Sequence, residues 1–128
     1  MSYYQGADLK KPSGGKKRRF RDKRKFELGS PPTNTKLDVV EERIVDRVRG
    51  GNLKVRLKKV SHIVVSIPGE GRSVKTRILE VIETPDNPQN ARFNLITKGT
   101  IVRTELGLVK VTSRPGQCGT LCGVLIKK

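Results

Sequence analysis

The stretch RIVDRVRGGNLKVRLKKV (43–60) decides how the chain folds. Two β-rich runs, RIVDRVR (43–49) and LKVRLKKV (53–60), flank Gly50, Gly51 and Asn52. Gly and Asn accept positive φ at little steric cost, so these three residues mark a tight connection between antiparallel strands. In the second run Leu53, Val55 and Leu57 alternate with Lys54, Arg56 and Lys58. A period of two puts the first set on one side of a strand and the second on the other, giving one apolar and one basic face.

Working outward, HIVVSI (62–67) is a strand that ends at Pro68, and PGEGR (68–72) is a turn leading into VKTRILEVI (74–82). IVRTE (101–105) and LVKVTS (108–113) flank Gly107, and TLCGVLI (120–126) follows RPGQ. Six or seven short strands with turns between them predict an all-β fold, a small and mainly antiparallel β-barrel, closed or nearly so. Closure would also remove exposed strand edges. Two segments read differently. KLDVVEER (36–43) suits one helical turn or the start of the first strand, and TPDNPQNARFN (84–94) suits a short helix capped by Asn87 with Pro88 at its first position. Phe93 is the one aromatic after residue 36, so the core must be aliphatic.

The composition changes near residue 36. Residues 1–36 hold eleven Lys or Arg against three acids, and Leu9 and Leu28 are their only Val, Ile or Leu. Residues 37–128 contain 31 such aliphatic residues in 92 positions. The first region cannot bury enough apolar surface to offset its ordering entropy, and the second can. The expected organisation is an extended basic arm and hinge over 1–36, with SPPTNT (30–35) as the hinge, followed by a barrel domain over 37–128.

The net charge is +16, from 28 Lys or Arg and 12 Asp or Glu. A surplus of this size in 128 residues points to a polyanionic partner: nucleic acid, an anionic membrane or an acidic protein. It concentrates in GGKKRRFRDKRKFELG (14–29), where Lys16, Lys17, Arg18, Arg19, Arg21, Lys23, Arg24 and Lys25 can each neutralise a phosphate. Gly14 and Gly15 let the backbone bend or approach a strand closely. Phe20 is positioned to stack on a base; Tyr3 and Tyr4 suit either stacking or folding back onto the domain. Basic residues continue on the domain around the first hairpin, as Arg47, Arg49, Lys54, Arg56, Lys58 and Lys59. ITKG (96–99), with Lys98, and SRPGQ (113–117), with Arg114, are basic turns suited to phosphate.

An enzyme reading finds little to use. His62 is the single histidine, and it sits at a strand start. There is no nucleophile-elbow serine, and GEGR (69–72) lacks the ending and following helix of a phosphate loop. Cys118 and Cys122 alone cannot make a structural zinc site. On one continuous strand they would stand about 13 Å apart, beyond disulfide range, so a bridge would need a turn at Gly119. The expectation is two small buried apolar side chains. No apolar run approaches the length of a membrane span, the N-terminus does not read as a secretory signal, and the arm has no helical apolar stripe for a membrane surface. No cofactor, metal or small-molecule substrate is expected.

The order YYQGADLKKPSGGKKRRFRDKRKFELG, RVRGGNLKVRL, ITKGTIVRTELG and VTSRPGQ resembles the archaeal form of eukaryotic-type protein eight of the small ribosomal subunit, from about Tyr3 to the C-terminus. The resemblance implies a structural role in the cytoplasmic ribosome: a barrel packed on ribosomal RNA, beside neighbouring small-subunit proteins, with a basic N-terminal arm threaded into the RNA. By position, the basic signature covers Lys10, Lys11, Gly14, Gly15, Lys16 to Arg19, Arg21, Lys23 to Lys25, Glu27 and Gly29. Ser13 stands where Thr is expected, Phe26 where Tyr is frequent, and Ser30 where Arg is usual. Ser30 removes one phosphate contact. QCGTLC is not a family feature, and disulfides inside hyperthermophilic archaea keep a Cys118–Cys122 bridge in view. The rival to an RNA-binding constituent of the small subunit is a general nucleic-acid-binding or chromatin-type protein.

Overall fold

The computed structural model describes residues 3–6, 10–18 and 21–127, with the side chain of Lys127 left aside. Arg19 and Phe20 lie outside the described residues. The chain divides into two compact units, Met1–Pro32 and Thr33–Lys128.

The first unit is held by local hydrogen bonds. β1 (Tyr3–Tyr4) pairs antiparallel with β2 (Leu28–Gly29), and the Gln5 amide donates to the Glu27 carbonyl at 2.9 Å. A turn over Lys11–Gly15 places Gly14 at φ +82°, and an antiparallel bridge sets Lys10 beside Lys16. A single 3-10 turn, Lys25–Glu27, precedes β2.

The second unit is mostly β. β3 (Lys36–Leu37), β4 (Glu42–Arg47) and β5 (Leu53–Val60) form a three-stranded sheet in the order β3-β5-β4. β6 (His62–Ile67), β7 (Arg72–Glu83), β8 (Ile101–Thr104), β9 (Gly107–Val111) and β10 (Cys122–Lys127) close a barrel in the order β10-β6-β7-β8-β9. Every pair in the barrel is antiparallel except β10 with β6, which run parallel. The expected barrel of six or seven strands is therefore corrected to five. The hairpin over 43–60 pairs within its own sheet instead of joining the ring.

That hairpin forms as its sequence predicts. Val45 faces Val55, Asp46 faces Lys54 and Arg47 faces Leu53. Gly50 and Gly51 take φ +76° and +77°, while Asn52 stays extended. Its apolar face is only partly covered, because the tip projects past the core. Leu57 is 1% exposed near the barrel, whereas Leu53, beside the turn, is 71% exposed. The short helix α1 (Pro88–Arg92) is also as expected, with the Asn87 side chain accepting the Gln89 amide at 3.0 Å and Pro88 opening the first turn. The ambiguous segment 36–43 resolves into β3, a connection and the start of β4.

The core is aliphatic. Leu57, Val60, Ile63, Val65, Ile78, Ile96, Val102, Val109, Val111 and Leu121 are buried together, and Phe93 stays outside. Gly123 lies on the closing strand where backbones crowd. A Cβ built there would sit 2.6 Å from Val109 Cγ1 and 2.8 Å from the Lys110 carbonyl oxygen. The second of these atoms is backbone and cannot rotate away. Gly123→Ala should therefore destabilise the domain by about 1–3 kcal/mol, the range for overpacking a closed core, measured by urea unfolding. An unchanged midpoint would show that the β9–β10 pair has slack.

Candidate nucleic-acid interface

In the first unit the cations lie on the surface. Lys10, Lys11, Lys16, Lys17, Arg18, Lys23, Arg24 and Lys25 are exposed, and Gly14 and Gly15 form the open turn between the first two pairs. Arg21 is the exception. It is half-buried, forms an ion pair with Glu27, and its guanidinium carbon lies 5.7 Å from the centre of the Phe26 ring. The Arg21 hydrogen bond holds the Glu27 carboxyl below its usual range, helped by the Arg24 amide. Arg21 thus fixes the fold of this segment, while its basic neighbours project outward.

In the second unit two motifs read separately in sequence come together. The RPGQ turn runs along β5. The Leu57 amide donates to the Pro115 carbonyl at 3.0 Å, and Arg56 Nη1 donates to the Gly116 carbonyl at 2.9 Å. Lys54 Nζ donates to Gln117 Oε1 at 2.6 Å. The amides of Gln117 and Cys118 donate to the Arg114 carbonyl, which closes the turn. Gly119 lies so close to β5 that a Cβ there would be 2.7 Å from Val55 Cγ1. Arg114 is left exposed on the turn, and Arg47 and Arg49 are exposed at the hairpin end. Lys98 is exposed on the Thr97–Thr100 turn, whose Gly99 amide donates to the Val111 carbonyl three residues before Arg114.

Ion pairing divides the basic residues into two groups. Arg56 Nε meets Asp46 at 2.8 Å, Lys58 meets Glu42 at 2.9 Å and Lys59 meets Asp38 at 2.8 Å. These three charges are answered within the sheet. Among the described residues, Arg47, Arg49, Lys54, Lys98 and Arg114 have no carboxylate within 4.0 Å. The sequence reading counted Arg56 and Lys58 among the RNA-binding residues; in the structure each has a carboxylate partner. It also passed over Lys75, Arg77 and Lys110, whose alternation with apolar neighbours was a visible signal for an outward face.

The cysteines differ from expectation too. Both are free; Cys118 is exposed and Cys122 half-buried. Neither is a buried apolar filler: Cys118 is exposed on the turn that is hydrogen-bonded to β5, and Cys122, on β10, lies opposite the exposed Val64 of β6. Among the described residues no three His, Cys, Asp or Glu side chains gather as a metal site, and no helix is long and apolar enough to cross a membrane.

A mostly β fold with a closed barrel, a separate three-stranded sheet and a net charge of +16 defines a class: a small, strongly basic β-barrel protein. The family model described as ribosomal protein S8e matches residues 4–126, and the chain belongs to that family. It is 65% identical over 128 residues, all of both chains, to the small ribosomal subunit protein eS8 of Staphylothermus marinus. It is 54% identical, again over all of both chains, to the protein of that name from Sulfurisphaera tokodaii. With the one from Pyrobaculum aerophilum it shares 54% over 127 residues, 98% of this chain and 97% of the relative.

The Asp38–Lys59 pair gives the second unit a defined pH response. The Lys59 hydrogen bond holds the Asp38 carboxyl below its ordinary value, aided by the Val39 amide, and raises the Lys59 ammonium above its own. A lowered carboxyl contributes stability above its unfolded pKa of about 3.9 and loses it as pH falls through the lower folded value. Asp38→Asn should therefore be slightly less stable than the parent at pH 6, with the two converging below about pH 3.9. Parallel stability curves down to pH 2 would show that the pair contributes nothing.

Proposed function

We propose that this chain is a structural constituent of the small ribosomal subunit. In this reading it binds and bridges ribosomal RNA, using the basic first unit, residues 1–32, as an arm and the hairpin–RPGQ surface of the barrel domain as a platform. One observation carries the proposal: cations without local counter-ions gather on the converging hairpin and RPGQ turn, in a chain alike along its full length to proteins named for the small subunit. Neutralising phosphates on adjacent RNA segments lets them pack with less repulsion. Recognition is of shape and phosphate position, since an A-form helix hides its major-groove base edges from side chains. The chain works without cofactor, small-molecule substrate or catalysis, beside other small-subunit proteins in the cytoplasm.

Stoichiometric co-sedimentation with the small subunit at moderate salt is the expected outcome; scattering over bulk nucleic acid would favour a general nucleic-acid binder. Deleting residues 1–29 should leave a cooperatively unfolding domain and sharply weaken RNA binding. An arm that meets about six to eight phosphates accounts for a large part of the salt dependence, so the slope of log affinity against log salt should fall by roughly 5 or more. Retention of the full slope would remove the arm from the mechanism. Within the domain, Arg47→Gln, Arg49→Gln and Arg114→Gln together should lower the slope by about 2–3, and Arg56→Gln with Lys58→Gln by less. The reverse order would show that the ion pairs to Asp46 and Glu42 open on RNA.

A further inference from the structure

We propose that the outer wall of the barrel, where β7, β6, β10 and β9 lie side by side, is a second RNA-binding face, with Arg77, Lys75 and Lys110 as its phosphate contacts. This inference rests on the reading of the chain as an RNA-binding ribosomal constituent, and it adds a surface that the hairpin and the arm do not provide. The wall is assembled by register. On β6 the side chains of Ile63, Val65 and Ile67 are buried, so His62, Val64 and Ser66 face outward. Residues directly opposite on neighbouring strands share a face. Arg77 is opposite His62. Lys75 is opposite Val64, which is opposite Cys122. Ser73, Ser66, Val124 and Lys110 make the next row.

These rows contain no Asp or Glu. Lys75, Arg77 and Lys110 are exposed, and among the described residues none has a carboxylate within 4.0 Å. The one carboxylate contact at the margin is Glu41, 3.4 Å from His62 Nδ1 and also 3.4 Å from Arg43. On the far side of β7 the pattern is different, since Arg103 is paired with Glu80 at 2.8 Å. Between the three cations stand short side chains, Ser66, Ser73, Val64 and Val124, which leave the wall low enough for a polymer to lie across it. Lys75 and Arg77 are two residues apart on one strand, roughly 7 Å, and Lys110 is three strands across and one row along from Lys75, roughly 16 Å over the sheet. Long flexible cations at such separations suit the phosphates of a helical RNA segment, read by backbone position. A domain with this wall and the hairpin–turn surface holds two RNA segments at once.

The test uses the full chain and protein-free small-subunit ribosomal RNA. Lys75→Gln, Arg77→Gln and Lys110→Gln together should lower the salt slope by about 2–3. A control that removes the same charge, Arg72→Gln, Arg92→Gln and Arg103→Gln, should lower it by less than 1. RNA should also slow acetylation of Lys75 and Lys110 at least threefold in the parent protein, read by mass spectrometry. Equal slopes for the two triple variants, or unchanged lysine reactivity, would overturn the proposal. So would protection seen only in the intact subunit, which would assign the wall to a protein neighbour. If the parent bound RNA without salt dependence, the ribosomal RNA reading would fall as well. If only the wall variant behaved like the parent, the arm and hairpin contacts would stand and this inference alone would fail.

Discussion

Closure of the barrel depends on one strand meeting two neighbours in opposite senses. β10 runs parallel to β6 and antiparallel to β9, and among the described residues no other strand pairs with both. Without it, β6 and β9 would be open edges, and Ile63, Val65, Val109 and Val111 would face water on that side. The burial of such side chains is worth about 1.5–3 kcal/mol each, so the domain's stability rests on this contact more than on any ion pair. Gly123 permits it by leaving room for Val109 and the Lys110 carbonyl. The pairing that completes the ring is thus also among its longest in sequence, which places the cost of loop closure ahead of the gain from burial.

Closure separates the source of stability from the use of the surface. With the ring complete, outward positions on the barrel strands are free to be charged without exposing a sticky edge. The acids then act locally. Asp38, Glu42 and Asp46 answer Lys59, Lys58 and Arg56 within the three-stranded sheet, where the pairing of β4 with β5 needs like charges kept apart. Exposed pairs of this kind add little to stability. Their larger effect is to decide which cations are left over: Arg47, Arg49, Lys54 and Arg114 on the hairpin and turn, and Lys75, Arg77 and Lys110 on the wall.

What was legible in the sequence is what local chemistry determines. The GGN connection, the period-two runs and the Asn87–Pro88 cap each act over a few residues, and each has its counterpart in the structure. The strand count of the barrel was not legible, because nothing local says that the 43–60 hairpin pairs with β3 in a sheet of its own while β10 closes on β6, some sixty residues away. The hairpin's apolar face was legible in its alternation but not in its burial, since exposure of Leu53 depends on how far the hairpin tip extends beyond the core. The ion pairs of Arg56 with Asp46 and of Lys58 with Glu42 depend on how β4 lies against β5, which no local pattern gives. The burial of the cysteines was judged by residue type, whereas the docking of the RPGQ turn on β5 and the placement of Cys122 opposite Val64 are tertiary facts.

The N-terminal unit follows a different balance. Its hydrogen bonds bring cations together, most directly where Lys10 is bridged to Lys16, and few aliphatic side chains oppose the resulting repulsion. Arg21, Glu27 and the Phe26 ring tie one end, and the lowered Glu27 carboxyl keeps that anion in place through the ordinary pH range. Such a structure is marginal in isolation, and its free energy falls as counter-charge accumulates around it. On the proposed function, RNA is that counter-charge. Any free energy of binding that requires the compact form stabilises it by linkage, so the order of the segment and its affinity for phosphate rise together and weaken together with salt. The barrel, with its core closed by β10, has no such dependence. It holds its cations in fixed positions whether or not the polyanion is present, which is what a platform for a salt-sensitive arm requires.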